Sequence, residues 1–114
     1  SVKIMSPEAH DEVVSFTSQL PHALAVALIN SDNQKYDTGK YIGDSYRDLT
    51  RIANINENLW SELFLKNRDH LLASINSFEE QLDMIKQALY DDDEAKLKEM
   101  FIESSLRREK LEKK

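Results

Sequence analysis

The groups in this sequence best able to do chemistry are one imidazole and a pair of guanidiniums. His22 stands directly after Pro21 in T-S-Q-L-P-H-A-L-A-V-A-L-I-N, at the entrance to an uncharged run. A proline within a helix leaves a backbone carbonyl without its amide partner. The imidazole is therefore expected either to face a cleft at that irregularity or to be hydrogen-bonded within the core. In Y-R-D-L-T-R-I-A, residues 46–53, Arg47 and Arg51 lie one helical turn apart, just after Gly39 and Gly43. Arginine grips a carboxylate through two parallel hydrogen bonds, so such a pair beside a loop suits a small dianion. The same spacing also suits a solvated face on which Asp48 pairs with Arg51 at i+3.

Other chemistries lack their residues. Two glycines four apart, with no β-branched strand before them, cannot build a dinucleotide fingerprint or a phosphate loop. His10, His22 and His70 are far apart, without the spacing of a local metal site, and no nucleophile elbow is present. No metal and no nucleotide site are expected in this chain. It has no cysteine, which suits a reducing compartment, and the cytoplasm is the expected location. A net charge of −6 repels a polyanion, so nucleic acid is not an expected partner. The uncharged run before Ser31 falls short of a bilayer span, so no membrane is expected either.

The elements that must position these groups read as helices. The chain has 114 residues, 40% apolar and 32% charged, with two Gly and two Pro, which bounds it to one charge-rich helical domain. Ser6-Pro7-Glu8 predicts a helix start, and the helix should run to about Leu20, where Pro21 kinks it or begins another. Ala23–Ile29 is apolar all round, as a helix buried on every side would be. Residues 31–45 form the long loop. A short helix is expected over Ser45–Ala53 and another after the cap Asn56, with Trp60, Leu63 and Phe64 on one side. Leu71, Ile75, Phe78, Leu82, Ile85 and Leu89 then repeat at the seam spacing of lengthwise helix packing. Asp91-Asp92-Asp93 interrupts that helix and caps a last one, with Leu97, Met100, Phe101 and Leu106 inward and a basic end.

Three stretches in order resemble the C-terminal helical domain of prephenate dehydrogenases: M-S-P-E-A-H-D-E-V-V-S-F-T-S-Q-L-P-H-A-L-A-V-A-L-I-N, G-D-S-Y-R-D-L-T-R-I-A and E-N-L-W-S-E-L-F-L-K-N-R-D-H-L-L-A-S-I-N-S-F-E-E-Q-L-D-M-I. The similarity runs nearly end to end; from about Asp92 it is one of character only. It implies an all-α helical bundle with a long C-terminal helix, like the C-terminal domain of 6-phosphogluconate dehydrogenase, in an intertwined homodimer, with residues 1–114 as one domain. It also implies that NAD or NADP binds an N-terminal Rossmann domain absent from this chain, which also supplies the catalytic histidine. The implied substrate is prephenate or arogenate, which loses a hydride and carbon dioxide as its ring becomes aromatic, with tyrosine as a feedback inhibitor. By the resemblance His22 lines the substrate cleft and takes part in tyrosine sensitivity, Arg51 binds a substrate carboxylate, and Ser18 joins the substrate site. Gln19 stands where relatives often carry histidine, only Gly43 remains of a glycine-richer loop, and Arg47 and Trp60 are expected at the pocket wall or behind it.

The other readings are a stand-alone helical interaction module, whose heptad row recruits a partner helix, and a chorismate-mutase-like bundle. The latter lacks the converging Arg and Lys at its centre.

Overall fold

The computed structural model describes residues 4–112 and is helical throughout, with no strand among the described residues. The helices are α1 (Pro7–Val14), α2 (Leu20–Asn30), α3 (Asp44–Thr50), α4 (Glu57–Lys66), α5 (Arg68–Tyr90) and α6 (Glu94–Glu112). A π turn, Ser15–Gln19, joins α1 to α2, and 3₁₀ turns occupy Thr38–Lys40 and Arg51–Ala53. The chain divides into two compact units, residues 1–75 and 76–114.

The expected caps form. Ser6 Oγ accepts the Ala9 amide with Pro7 in the first turn, and Asn56 Oδ1 accepts the Leu59 amide at 2.9 Å. Asp93 Oδ1 accepts the Lys96 amide ahead of α6. The end of α5 is a Schellman turn without glycine: Asp92 takes φ 50°, its amide donates to Leu89, and the Asp93 amide donates to Ala88 at 2.8 Å. A short polar side chain tolerates this left-handed position.

Pro21 does not end the first helix. The chain widens just before it, so that Leu20 donates its amide to Ser15, five residues back. The missing proline amide is thus absorbed by a locally rewound turn. Hydroxyls take up neighbouring carbonyls: Thr17 Oγ1 donates to Val13 at 2.9 Å and Ser15 Oγ to Glu12 at 2.6 Å. Residues 7–30 thereby form one helix of 24 residues, with a mean hydropathy of 1.3 in its most apolar window. That is long enough to span a bilayer, unlike the short run expected from the sequence. Yet it buries hydrogen-bonded polar side chains, Ser15 and Gln19, as a helix packed on protein does.

In the first unit Leu20, Ala25 and Leu71 are buried. The expectation that Ala23–Ile29 is enclosed on all sides fails for the single protomer: Ala27 and Ile29 are exposed and only Ala25 is fully covered. Val13 and Phe16 are exposed on the same long helix. A chain this short has too few layers to cover every face of that helix. In the second unit Ala88 is buried and Leu97 and Met100 are half-buried, but Phe101 and Leu106 are exposed, contrary to expectation. Leu106 lies nine positions after Leu97, which at about 100° per residue is the opposite side of the helix. The seam is likewise uneven: Leu71 is buried, whereas Leu82 and Leu89 are exposed.

The long loop is organised by side chains that imitate turns. Asp32 accepts the Gln34 amide and the Thr38 hydroxyl, and Asn33 accepts the Lys35 amide. Gln34 holds φ 59°, so the left-handed position falls on it, and neither glycine has positive φ. The Thr38 hydroxyl, and after it the Gln34 amide, hold the Asp32 carboxyl below its ordinary value of 3.8. A depressed carboxyl stabilises the folded loop above the ordinary carboxylate range, and that contribution disappears as pH falls through the lowered value. Amide exchange at Gln34 is therefore expected to accelerate on acidification, and Asp32→Asn should abolish the pH dependence at that amide.

Candidate functional site

The π turn sorts the side chains around His22. Ser15 is fully buried; its only hydroxyl proton goes to the Glu12 carbonyl, so Ser74 donates to Ser15 Oγ at 2.9 Å. Gln19, 5% exposed, turns into the unit, where its Oε1 accepts from Asn67 Nδ2 at 2.9 Å. Gln19 is therefore a buried partner of Asn67. One turn beyond Ser18, His22 Nδ1 lies 2.8 Å from the Ser18 carbonyl. A carbonyl only accepts, so Nδ1 carries the proton and donates it, and in the neutral ring Nε2 keeps the lone pair. Ser18 enters the site through its backbone. No described residue is hydrogen-bonded to Nε2.

Trp60 supplies the platform for this ring. Its indole stacks on the His22 imidazole with centroids 3.9 Å apart and planes inclined 22°, and Phe64 meets the indole edge-on at 6.1 Å. Asn56 caps α4, and the i, i+4 spacing within it puts Trp60 and Phe64 on one face. His22 is thus hydrogen-bonded to backbone and half-buried, with Nε2 unpartnered among the described residues.

The two arginines differ in their partners. Thr50 Oγ1 donates to the Tyr46 carbonyl at 2.8 Å, and from Arg51 the chain tightens into the 3₁₀ turn. The expected helix over Ser45–Ala53 is thus α-helical to Thr50 and 3₁₀ from Arg51 to Ala53. Arg47 reaches back to Asp44 at 3.5 Å, an exposed pair of little energetic weight. Arg51 forms no ion pair or side-chain hydrogen bond with a described residue, so the alternative pairing with Asp48 is not made. α2, which carries His22, packs against both the 51–53 turn and α3. Gly43 caps α3 with an extended backbone, φ −103° and ψ −172°, and a Cβ there would meet nothing within 4 Å. It leaves open surface at the start of the arginine segment.

An unpaired guanidinium and an imidazole with one open nitrogen, on elements in contact, can bind a carboxylate and exchange a hydrogen bond with a neighbouring oxygen. No group of His, Asp and Glu suited to a metal occurs among the described residues. Sequence reasoning missed Ser15, Ser74 and Asn67. The available signal for Ser15 and Ser74 was their polarity among apolar helix positions; Asn67 stands in the junction between α4 and α5.

Comparison with known proteins gives one answer. The family described as prephenate dehydrogenase, dimerization domain, matches residues 6–103. The cyclohexadienyl dehydrogenase of Zymomonas mobilis is 33% identical over 108 residues, which is 90% of this chain and 37% of that protein. The prephenate dehydrogenase of Bacillus subtilis is 31% identical over 78% of this chain and 25% of its own length. The crystal structure of A. aeolicus prephenate dehydrogenase in complex with hydroxyphenyl propionate and NAD+ superposes with a TM-score of 0.86 at 34% identity, covering 98% of this chain and 41% of that one. Synechocystis arogenate dehydrogenase, 21% identical with a TM-score of 0.88, shares the fold. This chain spans well under half the length of these relatives. The chain belongs to the prephenate dehydrogenase family, and the part of that family it represents is the all-helical dimerisation domain.

Proposed function

We propose that these 114 residues are the C-terminal substrate-binding and dimerisation domain of a cytoplasmic, NAD-dependent prephenate dehydrogenase of tyrosine biosynthesis. The observation that carries the reading is the His22–Trp60 stack on a helix packed against the turn of the unpaired Arg51. Arg51 is the carboxylate ligand: its side chain is exposed and has no partner among the described residues, so its fork is open to donate two parallel hydrogen bonds to a carboxylate. His22 Nε2 faces the bound molecule, and Trp60 and the Ser18 carbonyl hold the ring in place. The domain thus binds and orients. In this reading NAD and the oxidative step belong to residues outside this chain.

The exposed Val13, Phe16 and Ile29 on the 7–30 helix support homodimerisation, since an apolar strip of this kind is costly to leave in water. No observation favours a stand-alone interaction module.

The deciding experiment uses a complete enzyme containing these residues and follows NADH formation with prephenate, and in parallel with arogenate. Absence of turnover with either substrate retires the proposal. Tyrosine is proposed as an inhibitor acting through His22, so His22→Ala should shift tyrosine inhibition to higher concentrations. Inhibition curves that overlay those of the parent would remove His22 from that role.

A further inference from the structure

Asn67 separates α4 from α5, with φ −114° and ψ 29°, and its side chain faces away from both helices toward the π turn. Its Nδ2 donates to the Asp11 carbonyl and to Gln19 Oε1, both at 2.9 Å, across 56 and 48 residues of sequence. Both amide protons of this one group are therefore spent on the segment that leads into α2. Gln19, three residues before His22, is 5% exposed, so the bond from Asn67 has little water to replace it. Trp60 lies seven residues before Asn67, two turns back along α4. A single amide thus ties the helix that carries the imidazole to the helix that carries its indole platform.

We propose that Asn67 is a positioning residue for His22: its two hydrogen bonds set the register between α2 and α4 in which the imidazole lies on Trp60. A stack with centroids 3.9 Å apart tolerates little sliding, because the attraction depends on ring overlap. The Ser15–Ser74 bond pins the start of the π turn, at 2.9 Å. Asn67 pins its end, next to His22. The consequence for substrate affinity rests on the function proposed above; the consequence for ring geometry does not.

Asn67→Asp keeps the shape but turns two donors into acceptors facing two acceptors. In this chain, NMR is expected to show the His22 ring protons losing the upfield displacement imposed by the indole. In the complete enzyme KM for prephenate should rise about tenfold with kcat within about twofold, since displacement of a positioning group is costly even without a change in chemistry. Asn67→Ser, which keeps one donor, should show both changes at reduced size and serves if the aspartate variant does not fold. Ser6→Ala, which removes the distant α1 cap, controls for lost stability and should move neither readout. His22 resonances and KM that stay at parental values in the Asn67 variants overturn the proposal. Displaced resonances in an enzyme that turns over neither prephenate nor arogenate uphold the positioning role and sink the assigned function.

Discussion

If the proposed function holds, replacing Arg51 with alanine in a complete enzyme containing these residues is expected to raise KM for prephenate by about one to two orders of magnitude while kcat changes by less than about threefold. The estimate follows from the state of the side chain. Arg51 has no ion pair or side-chain hydrogen bond among the described residues, so its full hydrogen-bonding capacity is available to a ligand. A hydrogen bond to a charged group contributes about 1.5–3 kcal/mol, and each 1.4 kcal/mol is tenfold in affinity. The loss falls on binding because a carboxylate remote from the reacting bond is held equally in the ground and transition states. Arg51→Lys should recover part of the affinity, since an ammonium keeps the charge but not the planar fork. Arg47→Ala should cost far less, because that guanidinium sits in an exposed pair with Asp44. Steady-state kinetics on the three variants settle the assignment, and an unchanged KM for Arg51→Ala would remove the carboxylate-binding role.

Trp60→Ala is expected to be the most destabilising single change at the site. Full removal of a core Trp costs about 3–5 kcal/mol, and half-burial reduces that to about 2–3 kcal/mol here. The substitution removes both faces of the aromatic cluster at once: the stack on His22 and the edge contact with Phe64. Trp60→Phe keeps a ring of smaller area and should restore most of the stability. Urea unfolding of the three proteins reads the first effect. The His22 ring resonances read the second, and they should lose their ring-current displacement in the alanine variant. A fully stable Trp60→Ala protein with an undisturbed His22 would mean that Phe64 or a neighbour, not Trp60, supports the imidazole.

Much of the fold was legible because its signals are local. Ser6-Pro7-Glu8, Asn56 and Asp93 cap helices where their side chains can reach an amide two or three residues on, and that reach is fixed by backbone geometry alone. Pro21 was read less well. Its missing amide was expected to kink or end the helix, but a five-residue π turn absorbed it, and nothing in residue periodicity announces a wider turn. Ala23–Ile29 was read as enclosed because apolarity reports that a face will be covered without saying by which chain. The Arg47–Arg51 spacing showed where guanidiniums could gather but not their partners: Arg47 turns back to Asp44, and from Arg51 the α-helix tightens into a 3₁₀ turn.

The sequence by itself determined the helical class, the helix starts, the absence of a nucleotide loop from this chain and, through three ordered motifs, the family. These properties depend on residues within about two turns of one another or on whole-segment similarity. Only the tertiary structure decided that His22 rests on Trp60, that Gln19 turns inward to Asn67, and that Arg47 pairs with Asp44 while Arg51 has no partner among the described residues. Periodicity specifies which face of a helix is buried; which distant side chain meets that face is set by packing density and hydrogen-bond satisfaction, summed over the folded unit.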